Sequence, residues 1–227
     1  MLRMSFVILI PARSGSKRIK DKNLKLFNNF PLIYWTIKEA KKTKIKDIYL
    51  STDSKKIMEF GLSQGIKVPF SRPNSISDDK AKMIDVIKHF CDYLGKTKNF
   101  KNIILLQPTS PLRNFEDINA AIDLFLSSNA DSLVSAYRSN ELKELKKIMK
   151  LKNNYIEKFC DIDRQDFIIR NGPSILITKL NNITSNNLYG QKIVPFIMKK
   201  SLSIDIDTLD EFYIAEYLHK KFKLGEK

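Results

Sequence analysis

Cysteine is nearly absent. The chain holds two in 227 residues, Cys91 and Cys160, far apart and with no Cys-x-x-Cys or Cys/His spacing. That argues against a zinc site or a disulfide framework and suits a reducing, cytoplasmic setting. Long apolar runs are also missing. The opening "MLRMSFVILIPA" is too brief to span a bilayer and flows into "RSGSKR" without a cleavage pattern, so it reads as a first strand in a protein with no membrane partner. Neither G-x-G-x-x-G nor G-x-x-x-x-G-K-[ST] occurs, which disfavours dinucleotide enzymes and P-loop ATPases. No Ser/His/Asp or Cys/His set points to a covalent nucleophile. His89 and His219 lie in helical stretches without partner motifs and read as helix-surface residues. No groove-reading element or arginine–aromatic stripe marks a nucleic-acid binder.

Acidic charge is scarce as well. Forty Lys and Arg against 25 Asp and Glu leave a net charge of +15. That balance favours an anionic partner, although much of the excess is Lys scattered through "KKTKIKD" and "LKELKKIMKLKNN", as on solvated faces. With 43% hydrophobic residues the chain can bury a core of ordinary size. Short β-rich runs ("FVILI", "DIYLSTDS", "NIILLQPTSP", "DSLVSAY") alternate with amphipathic ones ("PLIYWTIKEAKKT", "SKKIMEFGLSQG", "DVIKHFCDYLG", "FEDINAAIDLFLSS"). This predicts a Rossmann-like α/β fold, a mostly parallel sheet flanked by helices, as a single domain over 1–227. A small β-rich excursion is expected at about 140–170, with a turn at Asn153-Asn154; it is a candidate for homodimer contact or for a wall over the pocket. The chain closes with the helix "LDEFYIAEYLHKKF", whose aromatics, like Trp35, read as packing residues. Ligands of such sheets bind outside the carboxyl ends of strands, where the polar tails "PARSGSK", "STDS" and "QPTSPLR" should gather.

The first of these tails, "PARSGSKRIKDKN", has the physical character of a phosphate loop. Ser14, Gly15 and Ser16 are small enough for backbone N–H groups to approach an anion, and Gly15 can adopt positive φ. Arg13, Lys17 and Lys22 can neutralise a triphosphate of about four negative charges, while Asn23 offers an amide to hydroxyls. A solvated basic turn would use the same letters. In "SIDIDT", strand alternation would put Asp205 and Asp207 on one face and the isoleucines in the core, a hard-oxygen pair suited to Mg²⁺ or Mn²⁺ near a polyphosphate. The alternative is a solvent-facing pair, with Asp207 capping the last helix.

Taken in order and spacing, "IPARSGSKRIKDKN", "STDS", "QPTSPLR", Asn171-Gly172 and "SIDIDT" resemble the acylneuraminate cytidylyltransferases, which activate sialic-type nonulosonic acids with CTP. The resemblance covers nearly the whole chain and implies a nucleotide-diphospho-sugar transferase-like fold. It implies that Arg13, Lys22 and Asp207 act at the catalytic centre, that Asp205 and Asp207 hold the metal, and that Gln107 contacts a nine-carbon sugar acid. "SRPNSISDDKA" is similar to the family's base loop, so Arg72 and the Ser77-Asp78-Asp79 backbone would read cytosine; Ser77 or Asp78 could equally cap the following helix. Arg113 can serve the site or tie its loop down.

The acceptor side departs from the family pattern. Arg164-Gln165 is followed by a short gap and "IIRNGPSILI", with apolar residues where tyrosine is expected, and Arg18 stands where glycine is usual. Lys146 and Arg164 are the candidate partners of the sugar carboxylate. A 3-deoxy-octulosonate-type cytidylyltransferase and a CTP-binding relative without turnover are the alternative readings.

Overall fold

The computed structural model describes residues 5–95, 100–138, 149–152, 155–158, 168–172, 174–184 and 186–225. Strand β1 (Phe6–Pro11) is followed by a small hairpin, β2 (Leu26–Phe27) and β3 (Phe30–Pro31), and by helix α1 (Leu32–Lys42). Then come β4 (Ile48–Ser51), α2 (Lys55–Ser63), α3 (Met83–Gly95), β5 (Asn102–Leu105), α4 (Phe115–Ser127) and β6 (Ser132–Arg138). Strands β7 (Met149–Lys152), β8 (Tyr155–Lys158), β9 (Ile168–Arg170), β10 (Leu176–Lys179) and β11 (Ile193–Ile197) precede the last helix, α5 (Leu209–Lys221).

Seven strands form the main sheet, in the order β11-β6-β10-β5-β1-β4 with β9 on β6. Strand β1 pairs parallel with β4 and β5, and β11 with β6; β10 and β9 run antiparallel to their neighbours. The expected mostly parallel α/β sheet is therefore present. Strand β1, paired on both sides and covered on both faces, explains its own all-apolar sequence. Phe6, Ile8 and Ile10 pack into one core with α1, α2 and α4, while Val7 and Leu9 pack into another with α3. Alternate side chains of a strand face opposite sides, so a strand covered on both faces must be apolar throughout.

Local chemistry sets the helix ends. Ser54 caps α2 through its hydroxyl to the Ile57 N–H, and Asn114 with Asp117 and Thr208 with Glu211 form reciprocal capping boxes on α4 and α5. A third core joins α5 to the β2–β3 hairpin and α1 through Phe27, Trp35, Leu112, Ile206 and Phe212. Strands β7 and β8 pair antiparallel as a separate two-stranded sheet, with Lys152 opposite Tyr155; the turn expected at Asn153-Asn154 lies outside the described residues. Among the described residues no helix is long and apolar enough to cross a membrane.

Three expectations change here. His219 is a buried residue, 4% exposed, wedged edge-on against Trp35 and Phe27. His89 is half-buried with its ring against Phe70, so neither histidine is a free surface group. Of the aromatic residues expected to pack on α5, Phe212 is buried while Tyr213 and Tyr217 are exposed.

Candidate active site

The chain leaves β1 to form β4 on one side and later returns to form β5 on the other. That makes the carboxyl end of β1 a switch point, where the following loops splay apart and leave a crevice. The tails after β1, β4 and β5 meet there around a cleft of about 240 Å³, lined among others by Arg13, Lys22, Asn23, Arg72, Gln107 and Asp207.

Charge pairs with charge on both rims. Asp79 bridges Arg13 and Lys17 at 2.6 and 2.5 Å, and Asp207 lies 3.1 Å from Arg18 and 3.4 Å from Lys22. Lys22 also donates to the Ile206 carbonyl at 2.5 Å, tying the basic loop to the aspartate segment. Asn23 is buried and donates from its side-chain amide to the Arg13 carbonyl, bracing the loop from within. The Ser16 N–H bonds the Ser14 carbonyl in a tight three-residue turn. Ser14 is not free for an anion in this state, because its N–H and hydroxyl donate to the two oxygens of Asp53 at 2.9 and 2.5 Å. Gly15 does not use the positive φ expected of it, and a Cβ there would meet nothing.

"SIDIDT" is not a strand. Residues 203–207 run as an irregular segment between a short 3₁₀ turn and α5. Ile206 is fully buried, with its N–H on the Thr109 carbonyl at 2.8 Å, whereas Ile204 is only half-buried. The carboxylates still share one region. Burial raises the Asp205 carboxyl above its usual range, the Thr109 side-chain hydrogen bond opposes this, and the nearby Asp207 charge adds to it. Asp207 is exposed, and its N–H donates to Glu211, the residue that closes the α5 capping box. Gly172 shapes the back of the pair: it sits at φ +57°, and a Cβ on it would run into the Asp205 carboxylate. Asn171 fixes that turn by donating to Ser203 at 2.9 Å.

In the segment after α2, Arg72 is 4% exposed, donates from Nε to the Ser77 hydroxyl at 3.1 Å and lines the cleft, with its buried Nη2 3.7 Å from Asp53 and without a hydrogen-bond partner. Burial lowers its pKa; Asp53 counters this and Arg13 reinforces it. Ser77 and Asp78 do not cap α3, which begins at Met83. Ser77 closes a 3₁₀ turn and serves Arg72, while Asp78 accepts the Lys80 N–H. Gln107 stands at the cleft beside Thr109. Arg113 takes the structural role: fully buried, it donates to the Ser174 carbonyl and Thr36 hydroxyl at 2.5 and 2.9 Å. Burial pushes its pKa down to about 10. Lys146 and Arg164 lie outside the described residues.

Sequence reasoning missed Asp53, the side chain of Asp79, Thr109 and the partner of Arg18. Asp79 and Thr109 lay inside quoted motifs, but only the fold reveals which cation or carboxylate they face. The donors fit a small hard cation in part. Two carboxylates lie near enough to feel each other's charge, one of them the half-buried Asp205 against which a Cβ on Gly172 would run. Among the described residues no group of three His, Cys, Asp or Glu could hold a metal, so a polyphosphate would have to complete the coordination.

Comparison with known proteins identifies the family and the fold. A family model described as cytidylyltransferase matches residues 7–211. An N-acylneuraminate cytidylyltransferase of Streptococcus agalactiae serotype V is 30% identical over 99% of this chain, which spans only 56% of that relative's length. A CMP-N,N'-diacetyllegionaminic acid synthase of Legionella pneumophila is 32% identical, with 95% of this chain and 96% of the relative covered. A solved structure of CMP:2-keto-3-deoxy-manno-octonic acid synthetase complexed with CTP shares the fold at a TM-score of 0.73 and 16% identity, over 96% of this chain and 99% of that one. With the basic turn after β1 tied to the aspartate segment beside the cleft, and a family model matched over residues 7–211, the chain belongs to the cytidylyltransferase family.

Proposed function

We propose that this protein transfers CMP from CTP to a sialic-type nonulosonic acid, yielding the CMP-sugar and pyrophosphate. One observation carries the reading: the basic loop and the Asp205/Asp207 segment meet, with Lys22 on the Ile206 carbonyl and Arg18 and Lys22 at Asp207. The sugar's anomeric hydroxyl attacks the α-phosphorus, an O–P bond forms, and the bond to the β-phosphate breaks. Arg13, Lys17 and Lys22 hold the departing pyrophosphate, a charge stabilisation that needs no covalent enzyme intermediate. The crown of small residues Ser14, Gly15 and Ser16, braced by Asn23, lets the β- and γ-phosphates approach those cations. Arg72, supported by Ser77 with Asp78 alongside, offers N–H donors to the acceptor edge of cytosine, and Gln107 faces the sugar acid. Asp205 and Asp207 would hold Mg²⁺ or Mn²⁺, which supplies charge neutralisation at the α-phosphate and eases loss of the hydroxyl proton. Lys146 and Arg164 are proposed for the sugar carboxylate, and the 140–170 excursion for a homodimer of a cytoplasmic enzyme.

Pyrophosphate release from CTP, measured across a panel of nonulosonic acids with and without Mg²⁺, tests the reading. Turnover should need both the metal and one acceptor of the panel. Asp207→Ala should cut it at least about a hundredfold while sparing the fold. Turnover with 3-deoxy-octulosonate alone, or an Asp207→Ala protein of ordinary Mg²⁺-dependent activity, refutes it.

A further inference from the structure

The motif "STDS" has no role in the chemistry above, yet it sits at the carboxyl end of β4, next to β1 in the sheet. Its flanking residues are spent on rigidity. The Thr52 hydroxyl accepts the Ser54 N–H, the Thr52 carbonyl accepts the Arg72 N–H, and Ser54 caps α2. Asp53 is thus clamped between a strand end and a helix start, with its side chain 12% exposed. Both its oxygens accept from Ser14, in the anion-facing loop. One of them also lies 3.7 Å from Nη2 of Arg72, the buried guanidinium that faces the cleft. Arg72 and Arg13 repel each other there, and Asp53 supplies the counter-charge.

We propose that Asp53 is a positioning residue that locks the polyphosphate loop and the base-reading Arg72 into one unit, so that phosphate affinity and base selectivity are set together. The inference rests on the CTP reading above. Its physical basis is simple. A carboxylate held rigid by its own backbone can fix the Ser14 donors by charge-assisted hydrogen bonds, about twice as strong as neutral ones, while its charge attracts the Arg72 guanidinium across 3.7 Å. A guanidinium N–H aimed at the N3 and O2 acceptors of cytosine meets an N–H donor at N3 of uracil, so a misaligned Arg72 loses that discrimination.

The test compares three single variants with wild type, reading inhibition by inorganic pyrophosphate and the CTP-over-UTP ratio of kcat/KM. Ser14→Ala should weaken pyrophosphate inhibition with the base ratio little changed. Arg72→Lys should lower the base ratio with pyrophosphate inhibition little changed. Asp53→Asn, isosteric and uncharged, should do both, each by about tenfold, and Ser14→Ala added to it should cost less than about threefold more. An Asp53→Asn enzyme within twofold of wild type in either readout overturns the proposal, as does a fully additive double variant. Should Asp53→Asn fail to fold, the Ser14→Ala/Arg72→Lys cycle carries the test. Non-additivity of about threefold or more in CTP affinity supports the Asp53 link, and additivity overturns it. Wild-type protein that shows no thermal response to CTP sinks the CTP reading and this proposal together. A wild-type response with additive variants sinks only this proposal.

Discussion

Gly172 shows how a single residue can set the chemistry from behind it. Its φ of +57° is costly for an L side chain, and the space a Cβ would need is taken by the Asp205 carboxylate. Gly172→Ala should therefore do two separable things. Backbone strain should lower stability by about 1–2 kcal/mol. Displacement of Asp205 should lower kcat far more than stability predicts, by about a hundredfold, since a shift near 1 Å at a reacting centre has that effect. Stabilisation by CTP without Mg²⁺ should survive, because the substitution acts at Asp205 and not at Arg13, Lys17 or Arg72. A Gly172→Ala enzyme with wild-type kcat would show that the position of Asp205 is irrelevant. The Asn-Gly pair was visible in the sequence, but its reason was not. Positive φ belongs to Gly172 and not to Gly15, and only the fold brings residue 172 against residue 205. Arg113 was open between site and scaffold for the same reason: a guanidinium in a loop of polar residues says nothing of the carbonyl 61 positions away that receives it.

At the scale of elements, α5 carries the aspartate segment, so its docking matters to the site. The join is made partly by His219, which contacts Phe27 and Trp35 and whose Nδ1 accepts from the Asn28 side-chain amide at 3.1 Å. Burial, with the Lys38 charge as a lesser cause, pushes its pKa down to about 4. The folded protein keeps this ring neutral, whereas the unfolded chain takes up a proton below about 6.5. Stability should then fall as pH drops from 6.5 towards 4, by up to about 3 kcal/mol from this group once the drop is complete. Urea midpoints measured from pH 7 to 4.5 should slope less for His219→Gln than for wild type, and parallel slopes would remove His219 as the cause. The helical stretch itself was plain from its periodicity. Burial of the histidine was not, because the hairpin that covers it comes from the other end of the chain. The Asp205–Asp207 segment failed as a strand for a related reason. Alternation of Asp and Ile fits an extended backbone, but here the Ile206 and Asp207 amides bond to the Thr109 carbonyl and the Glu211 carboxylate in place of a strand partner.

On the scale of the whole molecule, a net charge of +15 could serve any polyanion, and the arrangement of that charge decides between them. The alternation of short strands and amphipathic helices was enough to predict the sheet, and the switch point followed from strand order once the sheet existed. What alternation could not supply was which cations are free to act. In the folded chain Arg13 and Lys17 share Asp79, and Arg18 and Lys22 share Asp207, so two carboxylates offset only half of these four cations and an anion is needed for the rest. A compact, highly charged ligand that reaches into the cleft can supply that charge, while the outer surface of a DNA duplex cannot enter a cavity of about 240 Å³. CTP with Mg²⁺ at a hundred times its Kd should stabilise the protein by about 2.7 kcal/mol, a rise in Tm of roughly 5–10 °C for a chain of this size. Double-stranded DNA at physiological salt should leave Tm unchanged, and UTP should shift it less than CTP. Equal shifts from DNA and from CTP would mean that the charge acts as a diffuse polyanion surface, and the cleft would lose its claim to the nucleotide.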